Sequence, residues 1–163
     1  MKVLILNGGS SSLKYHLLDM QRETTVLKGN VSNIGGDTSG HSRTTADGDK
    51  TAEAVDARDH DVALEIVFRT IEAQGVGELP VVGHRVVHGG EKLQAPVVID
   101  VDIEAAIEAC SPLAPLHNPI NLQIVRTARR KLPQARHVAV FDTAFHNTIP
   151  DHAAVYGIPH ELY

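Results

Sequence analysis

The sequence VLILNGGSSSLK, residues 3–14, has the pattern of a strand followed by a tight turn, and the prediction of the fold starts from it. Its apolar half, Val3 to Leu6, has the composition of a short buried strand, and the glycines and serines that follow are typical of a tight turn. A second run, Leu13 to Leu18, and a third, Thr24 to Val31, are separated by a polar turn at Asp19 to Glu23. Three strands joined by short turns predict an antiparallel meander rather than a βαβ unit.

Beyond this meander the pattern changes to helices alternating with strands. Residues 35–60 are rich in Gly, Ser, Thr and Asp and predict a loop or an exposed hairpin. Apolar spacing predicts a helix from about Asp61 to Gln74 that ends at Gly75. The remaining predicted elements are a strand at Leu79 to Val87, a short helix around Ile103 to Cys110 that ends before Pro112, a helix from Pro119 to Leu132, and a strand at His137 to Phe141. This order indicates an α/β or α+β domain with a mixed sheet.

Composition excludes several classes of protein. The chain has 163 residues, of which 42% are hydrophobic and 21% charged, which suits one domain with an aliphatic core. No apolar run approaches the roughly 20 residues of a membrane-spanning helix. A net charge of −5 argues against nucleic acid as a partner. A single cysteine, Cys110, and the lack of a signal peptide predict a cytoplasmic protein. Cys110 itself is predicted to be a buried small apolar residue of a helix face rather than a nucleophile.

The first candidate site is the turn within Asn7 to Lys14. Its two glycines bring backbone N–H groups close to an anion, and three serines and a lysine add donors and charge. The turn lies between two strands, so it is neither a P-loop nor a dinucleotide-binding fingerprint. Its composition is compatible with a phosphate cradle and equally with a flexible hairpin turn.

The second candidate is the segment Gly83 to Glu91. Alternation places His84 and His88 on one face and Arg85 on the other. No cysteine or acidic ligand converges on the histidines, which favours a structural role over a metal site. Arg85 follows an apolar run, and a half-buried guanidinium there needs a carboxylate or phosphate partner.

The third candidate is Leu113 to Pro119. Asn118 is a natural helix N-cap and Pro119 a natural first helical residue. His117 would then lie at the positive end of a helix, where it could donate to a phosphoryl oxygen or make a second capping contact.

The fourth candidate is Asp142, directly after the last predicted strand. A carboxylate in this position can bind a metal's water shell, act as a base or orient an arginine. Capping of the following turn is the simpler alternative.

In this order along the chain, the four motifs (residues 7–14, 83–90, 113–119 and 141–146) resemble the acetate kinase family, within the superfamily of acetate and sugar kinases, heat-shock ATPases and actin. The resemblance covers essentially the whole chain. One minor departure is Gly8, where the family often has cysteine. The resemblance implies a ribonuclease H-like (actin-like ATPase) domain, in which helices flank a mixed sheet that starts with a three-strand meander.

The resemblance also implies a reaction: reversible phosphoryl transfer from ATP to acetate, which gives acetyl phosphate and ADP. Arg85 would hold the acetate carboxylate or the transferring phosphoryl group. His117 would stabilise that group in flight. Asp142 would orient an arginine of a second domain or act on the metal shell.

Binding roles follow from the same resemblance. Asn7 would help place Mg²⁺ (or Mn²⁺) and the nucleotide phosphates. The residues lining the phosphate side of the cleft would be Asn7, Ser10, Ser12 and Lys14, and those of a small apolar pocket for the methyl group would be Val87 and Leu116.

Members of this family have two domains. The resemblance therefore implies that residues 1–163 are the N-terminal domain, that the C-terminal domain is absent from this chain, and that the fragment alone is inactive. It implies acetate and ATP as small-molecule partners, no nucleic acid or membrane partner, and a homodimer for the full-length enzyme. Two alternatives stay open: a propionate kinase, and a complete chain that binds an anion or nucleotide without catalysis.

Overall fold

The computed structural model describes residues 1–162 of the chain and shows one mixed sheet with helices packed on it. Eight strands pair in the order β5-β4-β3-β2-β1-β6-β8-β7. The strands are β1 (Lys2–Gly8), β2 (Ser12–Asp19), β3 (Thr24–Ser32), β4 (Ser39–Thr45), β5 (Lys50–Val55), β6 (Val81–Val86), β7 (Val97–Val98) and β8 (Arg136–Phe141). The helices are α1 (His60–Glu72), α2 (Val101–Ala109), α3 (Asn118–Lys131) and α4 (Asp151–Ala154), with 3₁₀ turns at Ser111–Leu113, Asp142–His146 and His160–Leu162.

The meander is longer than predicted. Strands β1 to β5 pair antiparallel in sequence order, so the predicted three-strand start of the sheet is confirmed, and the hairpin alternative for residues 35–60 is confirmed as its continuation. The hairpin was hard to recognise because β4 faces the core with Ser39 and His41 rather than with apolar residues. Both are buried and hydrogen-bonded, so a polar strand still packs on the sheet.

The second half of the sheet is parallel at its centre. Strand β1 pairs in parallel with β6, and β6 pairs in parallel with β8. The two-residue strand β7, which the sequence pattern did not predict, pairs antiparallel with β8. Because parallel strands end at the same edge, the residues that follow β1, β6 and β8 are brought together there.

The core lies between one face of the sheet and the helices. Leucines of β1 and β2 and the buried side chains of β6 pack against α1 and α3, with Leu64 and Val67 of α1 among the fully buried residues. The Asp59 side chain caps α1 by accepting from the Val62 N–H, and Gly75, at a φ of +63°, follows the helix end as predicted. Cys110 is half-buried rather than buried. No helix among residues 1–162 is long and apolar enough to cross a membrane.

Candidate functional site

Three of the predicted site residues meet at the edge where β1, β6 and β8 end. Arg85 donates from Nη1 to Asn7 Oδ1 at 3.1 Å. It also donates to both carboxylate oxygens of Asp142, from Nε to Oδ1 at 2.9 Å and from Nη2 to Oδ2. This is a bidentate arginine–carboxylate pair, the most directional form of ion pair. The structure therefore holds the guanidinium in one orientation.

This ion pair is open to solvent. The side chains of Arg85 and Asp142 are 40% and 43% exposed. A guanidinium has five N–H donors, and the contacts with Asn7 and Asp142 use three of them. Two N–H donors of a fixed cation are therefore not used by any residue that the structure describes, and they can bind an anion at this edge.

Asp142 has a partner that the sequence analysis did not assign to it. We expected it to orient an arginine of a second domain or to act on a metal shell. In the structure its carboxylate binds Arg85 of the same chain. The sequence could not pair them because 57 positions separate the two residues.

The predicted phosphate-binding turn borders the same edge. Gly9 N–H donates to the Ser12 carbonyl at 2.8 Å and closes a tight turn between β1 and β2. We refer to residues 9–12 as the β1–β2 turn. Ser10 is exposed at its tip, and Lys14, also exposed, is the direct partner of Asn7 in the antiparallel register. Lysine, asparagine and arginine thus lie side by side across β2, β1 and β6 on the same face of the sheet.

The structure leaves the other predicted residues less constrained. His117 is exposed at the N-cap position of α3, and its side chain makes no capping hydrogen bond. The capping alternative for His117 is therefore wrong. Leu116 is 73% exposed and Val87 is half-buried, so the methyl pocket predicted from them is not enclosed by the described residues.

Asn118 does not cap α3 as predicted. The helix begins at Asn118, and its side chain is fully buried against the segment that follows β6. Asn118 Oδ1 accepts from His88 N–H at 3.0 Å, and Nδ2 donates to the His88 carbonyl at 2.9 Å. In this position the buried amide bonds to both the N–H and the carbonyl of His88. As an N-cap it would accept only from a helix N–H.

A second buried asparagine and a threonine also lie at this edge, and the sequence pattern did not predict either of them. Asn121 accepts from the Val87 N–H at 3.2 Å, and Thr143 Oγ1 accepts from the Gly89 N–H at 3.1 Å. One signal was present: Asn118 and Asn121 stand three residues apart on the apolar stripe of α3, where polar side chains need buried partners.

Behind Arg85, on the covered face, two histidines form a buried pair. His84 Nε2 lies 2.9 Å from His137 Nδ1, and His137 Nε2 faces the Leu132 carbonyl at 3.1 Å. His137 must donate to that carbonyl, so its Nδ1 accepts and His84 Nε2 carries the other proton. His84 Nδ1 is left as a buried acceptor with no partner among the described atoms.

The pKa of His84 follows from this arrangement. Burial, then the neighbouring His137 and Arg129, lower the pKa of His84 to about 3. The pair is neutral at physiological pH and joins β6 to β8 beneath the site. The prediction of a structural role for His84 is confirmed by its burial and its histidine partner.

The donor set does not fit a metal ion held by this chain alone. Within residues 1–162, no cluster of three or more His, Cys, Asp or Glu side chains is placed to bind one. Asn7 Oδ1 and both oxygens of Asp142 already accept from Arg85. The metal role of Asn7 stays a prediction.

Comparisons with known proteins show what the whole chain is similar to. The family model described as the Acetokinase family matches residues 2–163. The chain is 44% identical to the acetate kinase of Desulfitobacterium hafniense (strain DSM 10664 / DCB-2), over 100% of this chain and 42% of that protein. The crystal structure of Porphyromonas gingivalis acetate kinase matches with a TM-score of 0.90 and 41% identity, over 99% of this chain and 42% of that one. A propionate kinase from Francisella tularensis subsp. tularensis SCHU S4 matches with a TM-score of 0.88 and 34% identity, over 99% and 42% of the two chains.

These matches confirm the fold predicted from the sequence, a ribonuclease H-like α/β domain with a mixed sheet. The chain spans 42% of the length of the Desulfitobacterium hafniense protein and of each of these two solved structures.

Proposed function

Since this chain belongs to the acetokinase family, we propose that residues 1–163 form the N-terminal domain of a two-domain enzyme. That enzyme would transfer a phosphoryl group reversibly from ATP to acetate and give acetyl phosphate and ADP. The observation that carries the proposal is the fixed, half-exposed Arg85, which keeps two N–H donors free at the edge where three strands end. A second domain would close the cleft over this edge.

The chemistry needs little proton transfer. Acetate is ionised at neutral pH, so its carboxylate oxygen can attack the γ-phosphorus directly. A new P–O bond forms to acetate while the bond from the γ-phosphorus to the bridging oxygen breaks, and ADP leaves with that electron pair. Catalysis then depends on positioning the reactants and neutralising the oxygens of the transferring group.

The chain's own side chains supply donors for both tasks. Arg85 would hold the acetate carboxylate or the transferring phosphoryl group, with Asp142 and Asn7 fixing its orientation. His117 is exposed at the N-terminus of α3 and would donate to a phosphoryl oxygen. The groups that would bind the nucleotide phosphates are Asn7, Ser10, Ser12 and Lys14. Mg²⁺ would be bound mainly by the nucleotide phosphates. The described residues do not form a site for it by themselves.

Acetate is proposed over propionate because the Desulfitobacterium hafniense relative and the Porphyromonas gingivalis structure are acetate kinases. Val87 and Leu116 would border the methyl group. A pocket of this kind separates two acids that differ by one methylene by only about 1–3 kcal/mol. The similarity to a propionate kinase keeps that substrate as the second candidate.

The test uses two purified proteins: residues 1–163, and the longest polypeptide that the chain's reading frame encodes. The acyl phosphate formed from ATP and acetate, propionate or butyrate is trapped as the corresponding hydroxamate. We expect no product from residues 1–163, product from a longer polypeptide, and higher kcat/KM for acetate. Light scattering of the active protein checks the proposed homodimer.

Three outcomes contradict parts of the proposal. Acetyl phosphate made by residues 1–163 alone would overturn the two-domain site. A frame that stops after Tyr163, with nucleotide binding and no activity, would favour a binding module. Higher kcat/KM for propionate would assign the second substrate.

A further inference from the structure

The loop that follows β6 (Val87–Gly90, the β6 loop) is shaped by side chains rather than by backbone pairing. Its four successive N–H groups donate to Asn121 Oδ1, Asn118 Oδ1, Thr143 Oγ1 and His88 Nδ1, at 3.2, 3.0, 3.1 and 2.9 Å. A loop held in this way takes its path from the residues that accept those hydrogen bonds. Two of the four acceptors lie on the first turn of α3.

Asn121 also reaches the other side of the site. Its Nδ2 donates to the Gly8 carbonyl at 2.9 Å, and its side chain is buried. One amide therefore links the end of β1, directly after Asn7, to the start of the β6 loop, two residues after Arg85. Asn118 holds the next residue of that loop through both of its backbone groups.

A packing contact between α3 and β1 lies beside the hydrogen bond from Asn121 to Gly8. A Cβ added to Gly8 would overlap Ile124 Cδ1, so the Ile124 side chain of α3 packs directly on the backbone of β1. His117 immediately precedes α3, so the same contacts set where its imidazole stands relative to the strand ends.

We infer that Asn121, supported by Asn118, is a positioning residue for phosphoryl transfer. It fixes the end of β1, the β6 loop and the N-terminus of α3 relative to one another. Asn7, Arg85 and His117 are thereby held at the spacing that the reaction requires. The inference rests on the proposed function. It assigns Asn121 no contact with substrate.

The first test measures amide hydrogen exchange by NMR in residues 1–163, which needs no activity. In Asn121→Leu the Val87 amide loses its acceptor, and we expect its exchange to rise about tenfold or more. The His88 amide, still held by Asn118, is the internal reference and changes far less. Unchanged Val87 exchange would overturn the inference.

The second test is kinetic and uses the active polypeptide. Misplacement of about 1 Å costs on the order of 100-fold in rate, so we expect Asn121→Leu to lower kcat about 10- to 100-fold. KM for ATP and acetate should stay within about twofold, because Asn121 touches neither. Asn121→Asp keeps an acceptor for Val87 and should recover part of kcat and of the Val87 protection.

The matched control is Thr127→Val on the same helix. Thr127 is also buried, but its Oγ1 donates to Asp61, away from both loops. We expect its kcat to stay within about twofold of the parent, since it disturbs α3 without touching the site. Equal kcat losses in Thr127→Val and Asn121→Leu would show a merely structural role and overturn the inference. An inactive parent polypeptide would instead contradict the proposed function.

Discussion

Two polar networks in this domain have similar parts and opposite settings. At the open edge of the sheet, Arg85 joins Asn7 and Asp142. Inside the meander, Tyr15 donates from its hydroxyl to His41 Nε2 at 2.9 Å, and His41 Nδ1 lies 3.3 Å from Glu53 Oε1. Each network ties three elements of the fold together. We call them the open and the closed network.

The difference lies in what each network leaves free. In the closed network Tyr15 and His41 are buried, and burial raises the pKa of Tyr15 to about 12, so its hydroxyl stays a donor. Both buried groups are hydrogen-bonded, and the exposed carboxylate of Glu53 that completes the network is also paired, with Arg43. In the open network the guanidinium is half-exposed and keeps two N–H donors. A closed network therefore specifies packing, while an open one holds a charge ready for a ligand.

The largest effect should follow from breaking the open network. In the active polypeptide, we expect Arg85→Ala and Asp142→Ala each to lower kcat about 100-fold or more, because the fixed cation at the reacting group is lost. Unfolding free energy should fall by less than about 1 kcal/mol, since the pair is solvent-exposed. Steady-state kinetics and urea unfolding measure the two quantities.

Cys110→Ala is the control for these variants. Cys110 is half-buried near Gly90 and touches none of the three residues of the open network. If it lowered kcat as much as Arg85→Ala does, the assignment of the site would be wrong.

The closed network should show the reverse pattern. Tyr15→Phe leaves His41 Nε2 buried without its donor, so we expect a loss of about 1–3 kcal/mol in unfolding free energy. The kcat of the active polypeptide should stay within about twofold of the parent, because this network lies away from the strand ends. Urea denaturation of residues 1–163 measures the stability.

Tyr156→Phe removes the same hydroxyl from a side chain that is 77% exposed and serves as the matched control. We expect almost no change in stability from it. A similar loss in both tyrosine variants would mean that the contact with His41 contributes nothing.

A smaller effect should come from the histidine pair beneath the open network. The pKa of His84 is about 3 in the folded chain, against about 6.5 for an unfolded histidine. Below pH 6.5 the unfolded chain takes up a proton that the folded chain refuses. The neutral His84 therefore costs no unfolding free energy above pH 6.5. As pH falls from 6.5 toward 3, this group lowers the unfolding free energy by at most about 1.4 kcal/mol per pH unit.

Urea unfolding of residues 1–163 between pH 7.5 and 4.5 checks this sign. We expect His84→Leu to have a shallower decline with falling pH than the parent, whereas His16→Gln, at an exposed position, should not. An equal or steeper decline in His84→Leu would contradict the lowered pKa of His84 in the folded chain.

Sequence patterns predicted the elements whose buried faces are apolar. Alternation and helical spacing placed β1, β2, β3, α1 and α3 to within a few residues, because leucines and valines mark those faces directly. Strands β4 and β5 were left ambiguous because Ser39 and His41 occupy the core side of β4. Asn118 was misassigned for the same reason, since a buried asparagine looks like a cap until its partner is known.

The sequence by itself determined the class of fold, the family and the four motifs that border the site. The order of the motifs along the chain is sufficient to recognise them, because it does not require knowing which residues lie close together in space. Only the tertiary structure decided which groups are partners. The link from Asn121 to Gly8 spans 113 positions and that from Arg85 to Asp142 spans 57. Hydrogen bonds act over about 3 Å and depend on direction, so such pairs exist only once the sheet has brought its strand ends together.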